Sequence, residues 1–182
     1  MLYPANRLLH RKWIRRCWPR WRRPQGIVRC APTELIFDQA LGDVFSMRLA
    51  GNIASDKAIG SLEFSSKYLG SKLIVVIGHS SCGAVKAACD DFKDGHIGDI
   101  ISLIKPSIRH EKSVTDPAKR NSSNADFVEK INVLNVRHQI DTIVRQSDIV
   151  DDMLESKKIG IVGAVYDLAT GRVNFLEDTF VG

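Results

Sequence analysis

The chain has 182 residues, 44% hydrophobic and 26% charged, which suits one globular domain with a sizeable core. Its longest aliphatic run, Leu73 to Ile77, falls far short of the roughly 20 residues of a membrane-spanning helix. Four cysteines (Cys17, Cys30, Cys82 and Cys89) are too few for a disulfide scaffold, so a reducing, cytoplasmic setting is expected. The net charge of +5 averages two unlike parts: residues 1–33 hold nine Lys or Arg and no acid, whereas the remainder holds 17 basic and 21 acidic residues. A nucleic-acid-binding face on a folded domain would distribute its charge differently, and no nucleic-acid partner is expected.

In chain order, Met1 to Arg23 is rich in Arg and contains all three tryptophans, with Pro19 and Pro24 interrupting any helix. Residues 1–31 are expected to form a basic, unstructured segment, and 32–182 the folded domain. Leu35 to Gln39 is a short apolar stretch. Val44 to Leu49 reads as a strand, with Phe45, Met47 and Leu49 on one face. Asp56 to Leu69 reads as a helix, capped by Asp56, striped by Ile59, Leu62, Ser66 and Leu69, and ended by Gly70. Leu73 to Ile77 has the continuous aliphatic character of a parallel strand covered on both faces. A turn over Gly78 to Gly83 leads into a helix from about Cys82 to Phe92. Helical pattern returns over Gly98 to Lys105 and Asn124 to Arg145, with a polar loop from Arg109 to Ser123 between them. Ser147 caps a further helix ending near Lys157 and Lys158, and strands follow at Ile159 to Tyr166 and Arg172 to Leu176. This alternation predicts an α/β fold, a central, mostly parallel β-sheet flanked by helices.

The residues with chemical potential cluster in Val76-Ile77-Gly78-His79-Ser80-Ser81-Cys82-Gly83-Ala84-Val85, where a buried strand gives way to a helix. Open α/β sheets place ligand sites at such strand ends. His79 and Cys82 lie three apart on a tight turn, within reach of one metal ion, and a helix N-terminus favours the thiolate that zinc requires. Gly83 lets the backbone approach a bound group closely. Taken alone, a His-x-x-Cys pair also fits a surface turn with a half-buried thiol. Gly78-His79-Ser80-x-Cys82 also resembles the Gly-x-Ser-x-Gly nucleophile elbow of α/β-hydrolases, but Cys82 replaces the glycine of the sharp turn. Only His96, His110 and His138 lie downstream as bases for that chemistry.

Gly78 to Val85 closely resembles the second zinc-binding motif of β-class carbonic anhydrases. Further segments resemble the same family, in its bacterial type: Glu34-Leu35-Ile36-Phe37-Asp38-Gln39, Gly42-Asp43-Val44-Phe45, Arg48-Leu49-Ala50-Gly51-Asn52, Gly60-Ser61-Leu62-Glu63-Phe64, and Ile161-Val162-Gly163-Ala164-Val165-Tyr166-Asp167-Leu168 followed by Thr170-Gly171. The resemblance runs from about Pro32 to Leu176. It implies the family's α/β fold, a Zn2+ cofactor, reversible hydration of carbon dioxide to bicarbonate, and a homo-oligomer, dimer or tetramer. It also implies that His79 and Cys82 are metal ligands and that Phe45 and Gly83 contact substrate, with Ala50 at a further pocket position. For Phe45 and Ala50, core packing explains the residue types equally well.

The family's first motif, Cys-x-Asp-x-Arg, supplies a third zinc ligand and an Asp/Arg pair, and here the sequence departs. Counting back from Pro32 and Glu34 without gaps puts Gly26 at the Cys position, Val28 at the Asp position and Cys30 at the Arg position. Sliding by one residue places Arg29 at the Arg position and restores neither of the others. Cys30 sits four residues late for a ligand. The resemblance therefore carries an alternative, a catalytically inactive family member or partner subunit. Three origins fit residues 1–31: a targeting segment, a tail on an anionic membrane surface, or an altered reading frame, the last of which alone accounts for both the composition and the missing motif. Elsewhere Cys89 reads as core packing, His96, His110 and His138 as surface residues, and Asp38 and Asp43 as turn residues.

Overall fold

The structure, a computed structural model, describes residues 32–182. The basic segment 1–31, and with it Gly26, Val28, Arg29 and Cys30, lies outside the described residues. A short helix α1 (Thr33–Ile36) opens the described chain. The segment from Val44 to Leu49, expected as a strand, joins no sheet, and its partial burial falls on Val44 and Met47 rather than on Phe45, Met47 and Leu49 together. Extended backbone becomes a strand only where a ladder partner lies alongside, and among the described residues none does. A tight 3-10 turn at Ala50–Asn52 follows.

Helix α2 (Asp56–Lys67) starts after Ser55, so Asp56 is its first residue rather than its cap. Gly70, at φ +80°, lets the chain leave that helix and enter strand β1 (Leu73–His79). Helix α3 (Gly83–Cys89) follows the turn after β1, and helix α4 (Ile97–His110) extends past the expected end through Pro106. Proline removes one helical hydrogen bond there. The burial of Ile101, Ile104 and Ser107 offsets that loss, and Arg120 caps the Ile108 carbonyl at 2.7 Å. A 3-10 turn at Pro117–Lys119 interrupts the polar loop. The long helix α5 (Ala125–Gln146) is capped by Asn124, whose side chain accepts from Phe127 N–H at 3.3 Å. Ser147 caps helix α6 (Asp148–Glu155), accepting from Val150 N–H at 3.1 Å as expected.

Strand β2 (Gly160–Tyr166) runs parallel to β1, with Leu73 opposite Gly160 and His79 opposite Tyr166. Strand β3 (Val173–Val181) is longer than expected and antiparallel to β2, with a register shift between Ile161 and Gly163. The described sheet is thus mixed, in the order β1-β2-β3. Helix α5 lies across β1 and β2, and its Val136 packs against strand positions where only glycine fits. A Cβ at Gly78 would come 2.8 Å from Val136 Cγ2, and one at Gly163 would come 2.7 Å from Val136 Cγ1.

Two apolar cores share α5. One joins it to the sheet, α2 and α6 through residues such as Val136, Ile140, Val150 and Ile161. The other joins its first half to α3 and α4 through Phe127, Ile131, Val85, Ile101, Ile104 and Cys82. Each such side chain contributes about 1.5–3 kcal/mol on full burial, so α5 is the element on which the rest is assembled. No helix among the described residues is long and apolar enough to cross a membrane.

Candidate metal centre

The turn from Gly78 to Gly83 is held from three sides. Ser80 N–H continues the β1–β2 ladder to Tyr166 O at 2.9 Å, and Leu168 N–H donates to Ser80 Oγ at 2.9 Å. Ser81 adopts φ +56°, a left-handed conformation that a non-glycine residue holds only under constraint, and its N–H donates to Glu129 Oε1 of α5 at 2.7 Å. His79 Nδ1 lies 3.0 Å from Ser80 O. A carbonyl can only accept, so Nδ1 carries the proton of this contact.

Cys82, 4% exposed, stands immediately before α3. Burial opposes ionisation of its thiol, yet the His79 ring and the Val85 and Ala84 amides hold its pKa below the ordinary cysteine value. The same contact with Cys82 outweighs burial at His79 and raises the imidazole pKa, helped by Ser80 O and the charge of Glu129. One contact, ring against thiol, is thus the main cause that favours the charged form of each partner.

These two side chains line a cavity of about 380 Å³ whose walls are mostly apolar, formed by Ile77, Leu49, Ala84, Ala87, Phe92 and Ile101, with Arg48, Asn52 and Tyr166 among the polar lining. The wall opposite the turn is the 3-10 segment. Gly51 has φ +72°, and a Cβ there would come 2.5 Å from Ile104 Cδ1. A buried polar stripe on α5 ties this wall down. Asn135 Nδ2 donates to Gly51 O at 2.8 Å and to Asn52 Oδ1 at 3.3 Å. Gln139 Oε1 accepts from Ala54 N–H at 2.8 Å, while its Nε2 donates to Leu103 O at 3.1 Å and Asn135 Oδ1 at 3.0 Å. Asn52 Nδ2 is buried with no hydrogen-bond partner among the described residues. Glu129, Asn132, Asn135 and Gln139 thus reach both walls from one helix face. Sequence reading missed them because polar residues at helical spacing resemble a solvated face. The available signal was that they alternate with apolar residues all round α5.

Of the sequence-predicted residues, His79, Cys82, Gly83 and Ala50 meet at this cavity. Phe45 does not; it lines a neighbouring cavity of about 530 Å³ with Phe37, Val44, Leu73 and Phe175. The histidines that an elbow nucleophile would need are engaged elsewhere: His96 faces Asp99 at 3.6 Å, and His110 and His138 stack edge to face at 6.3 Å between centroids. Cys89 is half-buried, and burial, with the charge of Asp90, pushes its thiol up to about 11. Asp43 closes a turn, accepting from Ala40 N–H at 3.1 Å.

As donors, the His79 ring nitrogen and the Cys82 sulfur fit zinc in kind. They fall short in number: no group of three or more His, Cys, Asp or Glu residues able to hold a metal occurs among the described residues. A third protein donor comes from outside residues 32–182 or not at all.

The sequence model of the carbonic anhydrase family matches residues 29–173. Carbonic anhydrase 2 of Mycobacterium tuberculosis is 31% identical over 147 residues, covering 76% of this chain and 65% of the relative, so the chain spans slightly less than two thirds of that protein. A carbon disulfide hydrolase of Acidianus sp. is 27% identical over 155 residues, covering 81% of the chain and 74% of the relative. Among solved structures, the Coccomyxa β-carbonic anhydrase in complex with acetazolamide superposes with a TM-score of 0.67 at 28% identity, over 80% of this chain and 66% of that one. A tetrameric β-carbonic anhydrase of Sordaria macrospora, at 24% identity and TM-score 0.69, shares the fold over 80% of this chain and 74% of its own. With the family model spanning most of the chain, and the fold and the His79–Cys82 turn in place, the chain belongs to the β-class carbonic anhydrase family.

Proposed function

We propose that the chain is a lyase that hydrates carbon dioxide reversibly to bicarbonate, with His79 and Cys82 as ligands of a zinc ion. The observation that carries this is the placement of an imidazole and a thiol of lowered pKa on one constrained turn beside an apolar cavity of about 380 Å³. Zinc, when bound, supplies Lewis-acid activation of water near neutral pH. The chain's own residues do the rest. Ile77, Ala84, Ala87 and Ile101 offer a dry wall to a small, linear, apolar molecule, and Gly83 leaves room beside Cys82. Ser80 O fixes the ring of His79, as the outer partner of a metal-bound histidine does. Relatives named carbonic anhydrase support carbon dioxide as substrate, and the one named carbon disulfide hydrolase marks its sulfur analogue as the first alternative to assay. A homo-oligomer and a cytoplasmic setting complete the proposal; the latter is supported by the free thiols of Cys82 and Cys89.

A second reading, an inactive member or partner subunit, is favoured by the sequence at Gly26, Val28 and Cys30, where the family's Cys, Asp and Arg do not occur. Zinc per chain after dialysis against a mild chelator, together with stopped-flow hydration, separates the two. One zinc per chain with turnover supports the enzyme, and Cys30→Ser then asks whether Cys30 is the third ligand. Absence of both supports the second reading, and the triple substitution Gly26→Cys, Val28→Asp and Cys30→Arg is then expected to raise activity.

A further inference from the structure

We propose that Glu129 is the positioning residue of the His79–Cys82 turn, holding the turn's backbone so that both side chains face one point; this rests on the reading that the pair binds zinc. The His79 side of the turn is fixed by the sheet, through Ser80 to Tyr166 O and to Leu168 N–H. The Cys82 side is fixed through Ser81, whose N–H meets Glu129 Oε1 at 2.7 Å across 48 positions of sequence. That bond is charge-assisted, which makes it roughly twice as strong as a neutral one. It acts on a residue held at φ +56°, a conformation with an intrinsic preference to relax.

The carboxylate itself is prevented from swinging away. Its second oxygen, Oε2, accepts from Asn132 Nδ2 at 3.0 Å, and Asn132 is buried one helical turn along α5. Glu129 thus anchors one side of the site and Asn135 and Gln139 the other, all from the same helix face. Without the carboxylate, Ser81 is free to return to negative φ. The peptide leading into Cys82 then rotates, and the thiolate moves relative to His79.

The test compares the full chain with Glu129→Ala and Glu129→Gln, reading amide hydrogen exchange at Ser81 and the affinity for Co2+ from its thiolate charge-transfer absorbance. The alanine variant is expected to lose Ser81 protection and to weaken cobalt binding by roughly 10- to 100-fold, the usual cost of removing an outer partner of a metal ligand. The glutamine variant keeps an acceptor for Ser81 but turns an NH2 toward the Asn132 NH2, so it is expected to fall between wild type and alanine. Equal thermal midpoints in the three proteins separate this effect from general unfolding. Unchanged Ser81 protection in Glu129→Ala, or a cobalt affinity of that variant equal to that of a cobalt-binding wild type, overturns the proposal. Lost protection with no cobalt bound by any of the three overturns the zinc reading of the pair and leaves Glu129 as the anchor of the turn.

Discussion

At the scale of single residues, Glu111 shows how much order a polar loop can contain. Its carboxylate is 4% exposed and accepts from Ser113 N–H at 2.8 Å, Val114 N–H at 3.1 Å, Arg120 Nη1 at 2.9 Å and the Ser113 hydroxyl. Arg120 also reaches Val114 O and Ile108 O, and lies 5.0 Å over the Phe127 ring. The Ser113 hydroxyl first, then the two amides and Arg120, hold the Glu111 pKa down to about 2 against the effect of burial. A depressed carboxylate stabilises the fold above its ordinary value of 4.5 and loses that contribution as pH falls toward about 2. Urea unfolding of Glu111→Gln is therefore expected to show a shallower loss of stability across that window. At neutral pH the variant is expected to be about 1–3 kcal/mol less stable, because two amides and a guanidinium lose a charged partner. His79→Ala tests the metal pair at the same scale: zinc per chain is expected to fall at least tenfold by elemental analysis, with the far-ultraviolet circular dichroism unchanged. His79 and Cys82 were legible in the sequence because their spacing and their strand-turn-helix setting lie within ten contiguous residues. Glu129 was not, because its only sequence signature is an acid on a helix, and its contact is made 48 positions away.

At the scale of elements, helix and strand types were largely readable, and ends and partners less so. The stripe of α2, the helical pattern of α5, the Ser147 cap of α6 and the aliphatic run of β1 place these elements to within a few residues. Pro106 hid the last turn of α4, since the buried side chains that offset a proline are visible only once the helix is packed. Val44 to Leu49 carries an alternating pattern but no ladder, a property of its neighbours rather than of its own residues. The close approach of α5 to the sheet yields a direct prediction. Gly163→Ala would place a methyl 2.7 Å from Val136 Cγ1, 3.1 Å from Thr179 Oγ1 and 3.2 Å from Ile140 Cδ1, all in packed surroundings. A strand would otherwise tolerate alanine in place of glycine. Here overpacking is expected to lower stability by about 1–3 kcal/mol in chemical denaturation, with α5 displaced from β2.

At the scale of the whole molecule, the apolar surface is the outstanding feature. Leu35, Leu41 (92% exposed), Phe64, Tyr68, Leu69, Phe175 and Phe180 all face outward in the single chain. These side chains are the ones on which the proposed homo-oligomer would draw for its contacts. Light scattering is expected to give a mass of at least two chains at micromolar concentration, and a single-chain mass at high concentration would remove the homo-oligomer from the proposed function. The fold class was legible because strand and helix signals alternate along the chain. The order of strands was not, since pairing depends on which edges the helices leave open.

The parallel pairing of β1 with β2 also sets a schedule. Leu73 and Gly160 are neighbours in the sheet but 87 positions apart in the chain, with α3 to α6 made between them. At roughly 5–20 residues per second, a growing chain exposes the aliphatic face of β1 for several seconds before its partner has been synthesised. Helix α5, which packs on β1 in the finished fold, is complete only at Gln146, so most of that interval passes with the face uncovered. Birth of the chain on the ribosome is therefore its most aggregation-prone moment. Chains stalled before Ile159 are expected to be cut by protease within β1, whereas chains released after Val181 are not.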